Sequence, residues 1–171
     1  MKTQSDQQAK QLKYLHPMLR QWSGDTGPNP TASAEVRRAG RRRTGPHIKT
    51  YVRFADAEMT SIDWALVTSA NLSTQAWGAA TSKTGNIRIC SYEIGVLVWP
   101  DLFKSNPDEK IEMVPVFQKD EPDQTASEKS KVGFRMPYDL PLVPYSDTDQ
   151  PWCATKKDDE PDWLGRSWPG F

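Results

Sequence analysis

Between His47 and Trp99 the chain gathers its β-forming residues into three runs, and the punctuation between them restricts the fold more than any other feature. His47 to Phe54 alternates and is rich in β-formers, which predicts a strand. Trp64-Ala65-Leu66-Val67-Thr68 is a short apolar run ending at the polar turn Ser69-Ala70-Asn71, the pattern of a buried strand. Ser73 to Ala80 then reads as a short helix, with Asn71 or Ser73 as its cap. Ile87 to Trp99 reads as a long, bulged strand that Pro100 ends. Strand, strand, turn, helix, strand fits an α/β layer architecture and not a helical bundle.

The flanking chain is less regular. Gln7 to Trp22 sets Leu12, Leu15, Leu19 and Trp22 at helical spacing, with Pro17 inside the pattern as a point of breakage or restart. Ser23 to Pro46, rich in Gly, Pro, Ser and Arg, reads as a loop or insertion outside the core and contains Arg37-Arg38-Ala39-Gly40-Arg41-Arg42-Arg43. Ser105 to Lys131 is charged and broken by proline, so its pattern is weak. The prolines of Pro137 to Tyr145 remove donors and exclude a helix, leaving extended chain that packs its Tyr and Leu residues on a neighbour. These shifts divide the chain into an N-terminal helix over 1–22, a basic loop over 23–45, a lobe over 46–152 and an irregular tail over 153–171.

With 36% hydrophobic residues, 26% charged residues and 14 prolines, only part of the chain is expected to join a packed core. The longest apolar run, Ile94 to Trp99, is far short of the ~18 residues that span a bilayer, and no membrane partner is expected. No secretory signal is visible, and Cys90 and Cys153 make neither a disulfide framework nor a zinc site unaided, so a reduced, intracellular setting is the expectation. The zero net charge hides an asymmetry: residues 1–53 carry eleven Lys/Arg against three Asp/Glu, and residues 101–171 carry nine against fifteen. A basic front suggests an anionic partner there, or a solvated arm.

Three places carry chemistry. His47-Ile48-Lys49 puts an imidazole and an ammonium on one face of a strand. That pair suits a phosphate, the lysine neutralising free oxygens while the histidine exchanges a proton at a bridging one; the plain alternative is a chance occurrence on a solvated face. Asn71, where a strand gives way to a helix, would add an amide and free backbone donors as an anion cradle, or serve only as a helix cap. Glu93 lies in a stretch otherwise fit for burial, where a carboxylate needs a partner: a histidine to orient, or an arginine such as Arg88.

Together, Pro46 to Tyr51, Trp64 to Ser73 with Ala76-Trp77-Gly78, and Ser91 to Leu97 resemble the second half of the tyrosyl-DNA phosphodiesterase family, of the phospholipase D superfamily, which carries two HxK…N motifs. Val132 to Trp152 is similar to that family's C-terminal end, and Leu12 to Trp22 to the helix before the second motif. The resemblance implies one phospholipase D-like lobe, a mixed sheet flanked by helices, over 46–152. It implies hydrolysis of the 3′-phosphotyrosyl bond between DNA and topoisomerase I through a phosphohistidine, without metal or cofactor. His47 would protonate the departing phenolic oxygen and then activate water, Lys49 and Asn71 would hold phosphate oxygens, and Ser73 would contact DNA. Glu93 would orient the nucleophilic histidine of the other half.

One departure matters. The chain has two histidines, and His16, in His16-Pro17-Met18, lacks the lysine two places on, so the nucleophilic motif is missing. The expectation is a C-terminal half that is incomplete alone, paired with an N-terminal half or a second chain, and exposing the faces that would pack on it. Its implied partners are DNA bearing a 3′ adduct and a topoisomerase I-derived peptide, and its implied location is the nucleus. The alternative from another class is a non-catalytic DNA-binding or interaction fragment that reuses the lobe, with Arg37 to Arg43 touching phosphates.

Overall fold

Five strands, with a single-turn helix inserted between the second and third, organise the computed structural model, which describes residues 13–22, 36–41, 46–79, 85–123, 130–149, 151, 157–162 and 164–170. The strands are β1 (Lys49–Phe54), β2 (Ile62–Thr68), β3 (Gly95–Val98), β4 (Ile111–Val116) and β5 (Ser130–Arg135), and the helix is α1 (Thr74–Trp77). β1 and β2 form an antiparallel hairpin with Lys49 opposite Thr68 and Tyr51 opposite Leu66. The other edge of β2 is divided: β3 runs antiparallel along its second half, from Ala65↔Val98 to Thr68↔Gly95, and β4 meets its start at Ile62↔Met113. β5 lies parallel to β4, which makes the sheet mixed. The fold is therefore α/β with an open, mixed sheet and little helix among the described residues, as expected of one phospholipase D-like lobe.

The β1–β2 turn is fixed by Asp56. Its carboxylate accepts from the Thr60 and Ser61 backbone N–H groups, at 2.8 Å each, and from both of their hydroxyls at 3.0 and 2.7 Å. These donors hold the Asp56 carboxyl far below its usual range. The core lies on one face of the sheet, where Ile62, Ala65 and Met113 meet Met136 and Leu140, with Val52, Phe54, Tyr138 and Leu142 packed around them. The proline-punctuated segment after β5 thus lays its apolar side chains against the sheet, as extended chain.

Several expectations are corrected. Ile87 to Trp99 is not one strand; only Gly95–Val98 pairs. Upstream, the backbone wraps α1, with Cys90 N–H donating to the Gln75 carbonyl at 2.9 Å and Ala79 N–H to that of Arg88 at 3.2 Å. Trp64 to Thr68 is not a fully buried strand: Ala65 is inaccessible, but Trp64 lies on the uncovered face, and Val67, on the same face as Ala65, is exposed where it lines a surface cleft. Of the helix expected over Gln7 to Trp22, residues 13–15 are α-helical, but the pattern does not carry the helix to Trp22. Pro17 tightens His16–Met18 into a 3-10 turn, and Leu19 leaves it extended. The chain then pairs with the C-terminal segment, Gln21 N–H donating to Val143 O at 2.8 Å and Tyr145 N–H to Leu19 O at 3.2 Å. Residues 7–12 of that helix, 23–35 and 42–45 of the basic loop, Ala80 and Trp152 lie outside the described residues. The described part of the basic loop is no free insertion, since Arg37 bridges Leu140 and Ala39 is buried.

Candidate functional site

The hairpin register delivers the site. Lys49 opens β1 opposite Thr68, the last residue of β2, so His47 and the turn after Thr68 come to the same end of the hairpin. Three contacts lock that turn. Ala70 N–H donates to Thr68 Oγ1 at 3.1 Å, Tyr51 OH donates to Ala70 O at 3.2 Å, and Trp77 Nε1 donates to Asn71 O at 3.0 Å. Tyr51 and Trp77 also meet edge to face at 5.6 Å between centroids, so the aromatic pair holds α1 against β1.

Over this end opens a cleft of about 690 Å³ whose lining includes His47, Lys49, Asn71, Ser69 and, from other elements, Arg41 and Arg135. Among the described residues no Asp or Glu lines it, so its potential favours anions. Lys49 Nζ donates to His47 Nε2 at 3.0 Å. An ammonium has no lone pair, so in this contact the lysine is the donor and Nε2 the acceptor. The two groups expected to share one strand face therefore share one cleft, and Asn71 joins them.

Glu93 and Ser73 stand apart from that lining. Glu93 is half-buried and precedes β3 instead of lying in a buried strand; its Oε2 accepts from Ser69 Oγ at 2.5 Å. The Ser69 and Ser91 hydroxyls, with the Lys49 ammonium close by, lower the Glu93 pKa. An arginine is not its partner in any of these contacts. Ser73 is the helix cap, its Oγ accepting from Ala76 N–H at 3.3 Å, which frees Asn71 from that duty. α1 has one turn, too few aligned peptides for an anion site of its own, so anion binding here falls to side chains.

Sequence reasoning did not single out two residues of this neighbourhood. Ser69 links the cleft to Glu93, and also anchors β3, its N–H donating to Ile94 O at 2.9 Å and its Oγ accepting from Ile94 N–H at 3.1 Å. Its position within Thr68-Ser69-Ala70-Asn71 was the one signal for it. Arg135 comes from the end of β5, a strand the sequence pattern did not reveal. Among the described residues no group of three or more His, Cys, Asp or Glu converges as a metal-ion site, and no helix is long and apolar enough to cross a membrane.

Comparison with known proteins gives a consistent picture. The sequence model described as tyrosyl-DNA phosphodiesterase matches residues 1–146. The chain is 42% identical over 144 residues to a probable tyrosyl-DNA phosphodiesterase of Schizosaccharomyces pombe, covering 77% of this chain and 26% of the relative. It is 33% identical over 156 residues to tyrosyl-DNA phosphodiesterase 1 of Arabidopsis thaliana, covering 77% and 24%. With the protein of the same name from Drosophila melanogaster it shares 38% identity over 116 residues, 66% of this chain and 17% of the relative. The chain thus spans about a quarter or less of the length of these relatives.

Proposed function

The chain belongs to the tyrosyl-DNA phosphodiesterase family, and from that premise we propose that it forms the acid–base half of a phosphodiesterase that repairs DNA by hydrolysing 3′-phosphotyrosyl adducts. The observation that carries this reading is the Lys49–His47 contact of 3.0 Å in a cleft that Asn71 also lines and that no carboxylate of the described residues lines. A phosphodiester placed there takes over the lysine's hydrogen bond, and Asn71 donates its amide to a second oxygen. His47, protonated at Nε2, gives its proton to the phenolic oxygen as the P–O bond to tyrosine breaks. The same nitrogen then accepts a proton from the water that attacks phosphorus, breaking the P–N bond of the phosphohistidine and freeing the DNA 3′-phosphate. Glu93, whose carboxylate Ser69 holds, takes in this reading the task of orienting the nucleophilic histidine.

That nucleophile comes from a second lobe, an N-terminal half or another chain. Two features support this. The 171 residues contain two histidines, and His16 packs edge-on against Tyr145 at 6.0 Å, on the N-terminal segment. Beside Glu93 the surface is apolar and uncovered, with Tyr92 100%, Ile94 78% and Val96 65% accessible, which a soluble protein ordinarily covers with a partner. The substrate is DNA carrying a topoisomerase I-derived peptide on its 3′ end, and a nuclear location goes with it. Ser73 Oγ, which keeps its proton while capping α1, is available to donate to the DNA backbone.

Single-turnover cleavage of a 3′-phosphotyrosyl oligonucleotide tests the reading. Cleavage is expected when the chain is mixed with a lobe carrying the first HxK motif, and His47→Ala is expected to lower the rate by at least about a hundredfold. A mixture that turns over equally well without His47 refutes it. Binding that ignores His47 in every combination, with no cleavage in any, identifies a DNA-binding fragment instead.

A further inference from the structure

The sequence presents the arginines of 37–43 as one block, and the fold divides them. Arg37 is occupied by the protein: its guanidinium donates to the Met59 and Glu58 carbonyls, at 3.0 Å each, and lies 5.6 Å over the Phe117 ring. Arg38 pairs with Asp139 at 4.0 Å. Arg41 differs. Its side chain makes no hydrogen bond or ion pair with any described residue, and it lines the cleft that holds His47, Lys49 and Asn71.

The backbone that carries Arg41 is tethered at nearly every step. Arg37 exchanges hydrogen bonds with Leu140 at 2.8 and 3.0 Å, and the Arg38 carbonyl accepts from Gln118 Nε2 at 2.9 Å. Ala39 N–H donates to the buried Asp139 carboxylate at 2.7 Å, and Gly40 turns the chain at φ +74°. The Arg41 carbonyl then accepts from the Trp22 indole at 3.1 Å. A backbone held this firmly fixes where the Arg41 side chain starts, so a ligand that engages the guanidinium has only the side chain to order.

We propose that Arg41 binds a second phosphate of the same strand, next to the one that His47, Lys49 and Asn71 hold, so that the cleft takes a nucleic-acid strand with at least two phosphodiesters in preference to a lone phosphoester. This deepens the function proposed above and rests on it for the first phosphate. A guanidinium offers five donors and no acceptor, and matches the oxygens of a phosphate in pairs. The cleft has room beyond its His–Lys–Asn corner, and Phe134 and Pro137 give it an apolar wall against which a base or sugar can lie. Arg135, the other arginine of the lining, is already paired with Asp120 at 3.2 Å, which leaves Arg41 as the cation the described protein groups do not satisfy.

The test uses the full chain, a fluorescent single-stranded oligonucleotide with several phosphodiesters, and a thymidine 3′-aryl phosphodiester with one. Binding is read by anisotropy for the first and by NMR shift titration for the second. Arg41→Ala keeps the carbonyl that Trp22 holds, and is expected to weaken oligonucleotide binding about five- to tenfold. It should lower the slope of log affinity against log salt by about 0.7, one phosphate contact on a single strand, and change the one-phosphate ligand by less than about twofold. Arg88→Ala, outside the cleft, is the charge control and should do neither. Equal weakening of both ligands, or an oligonucleotide affinity and salt slope unchanged by Arg41→Ala, overturns the proposal. Lys49→Ala separates it from the reading it rests on: that variant should weaken both ligands, and if it weakens neither, the His47–Lys49 assignment fails whatever Arg41 does.

Discussion

Removing the Asp139 carboxylate tests whether the C-terminal extended segment and the basic arm are one cooperative unit. Asp139 is 5% accessible, and it accepts from Ala39 N–H at 2.7 Å in a place where Ala39 itself is buried. Asp139→Ala leaves that N–H without its acceptor, a loss of about 2–3 kcal/mol for a charge-assisted bond whose donor cannot reach water. The accompanying ion pair is weaker: Arg38 lies 4.0 Å away with 53% of its side chain accessible, a geometry worth about 1 kcal/mol at most. Asp139→Asn keeps an oxygen at the acceptor position and gives up the ion pair and the charge, so it should cost about 1 kcal/mol. Urea unfolding followed by tryptophan fluorescence reads both variants. With a slope of roughly 2 kcal/mol per molar, the Ala variant should lose about 1 M in midpoint and the Asn variant about half of that. The reasoning is refuted if Asn is as damaging as Ala, which would make charge the main contribution, or if Ala unfolds with the wild type.

Two other variants probe the sheet and the site. Gly133→Ala should destabilise the chain by about 2 kcal/mol or more and shift its thermal midpoint down, because an added Cβ would sit 2.4 Å from the Asp120 backbone oxygen; a variant as stable as the parent would place that loop elsewhere. Ser69→Ala should raise the Glu93 titration midpoint towards the ordinary glutamate value of about 4.3, as read by carboxyl carbon NMR, since the Ser69 hydroxyl is the chief cause of its depression. The sign follows from linkage: a carboxyl depressed in the fold contributes stability above its unfolded pKa and loses it as pH falls through the folded value, so the variant should also lose the acid side of that dependence. An unchanged midpoint would deny the Ser69–Glu93 bond.

Much of the fold was legible where local pattern and tertiary demand agree. The alternation before Phe54 and the apolar run to Thr68 became β1 and β2, and Ser73 capped α1. The failures have physical causes. Ile87 and Ile89 have the residue type of a strand, but the Gln75 carbonyl and the Ala79 N–H recruit that segment's backbone to α1, a competition no periodicity reveals. β4 carries Pro115, which argues against a central strand; the position is tolerated because on the β2 side β4 pairs only at Met113. Its parallel partner β5 contains Gly133, whose bareness serves the close approach of the Asp120 carbonyl and lowers the strand's apparent propensity.

The site was legible in its chemistry and not in its geometry. The i, i+2 spacing puts His47, just before β1, beside Lys49 at its start, and the 3.0 Å contact joins them. Asn71 is another matter. Its approach depends on Lys49 standing opposite Thr68, a register carried through a turn over 55–61 and across an irregularity between Arg53 and Phe54. A slip of one residue there would turn Val52 and Ala65 out of the core, so burial enforces the register that Asp56 alone could not. Continuing that register two residues past Lys49 sets His47 opposite Ala70, beside Asn71. The His47–Lys49–Asn71 corner is therefore a consequence of core packing on the opposite face of the same two strands. Loosening Val52 or Ala65 should spoil anion binding before it unfolds the lobe.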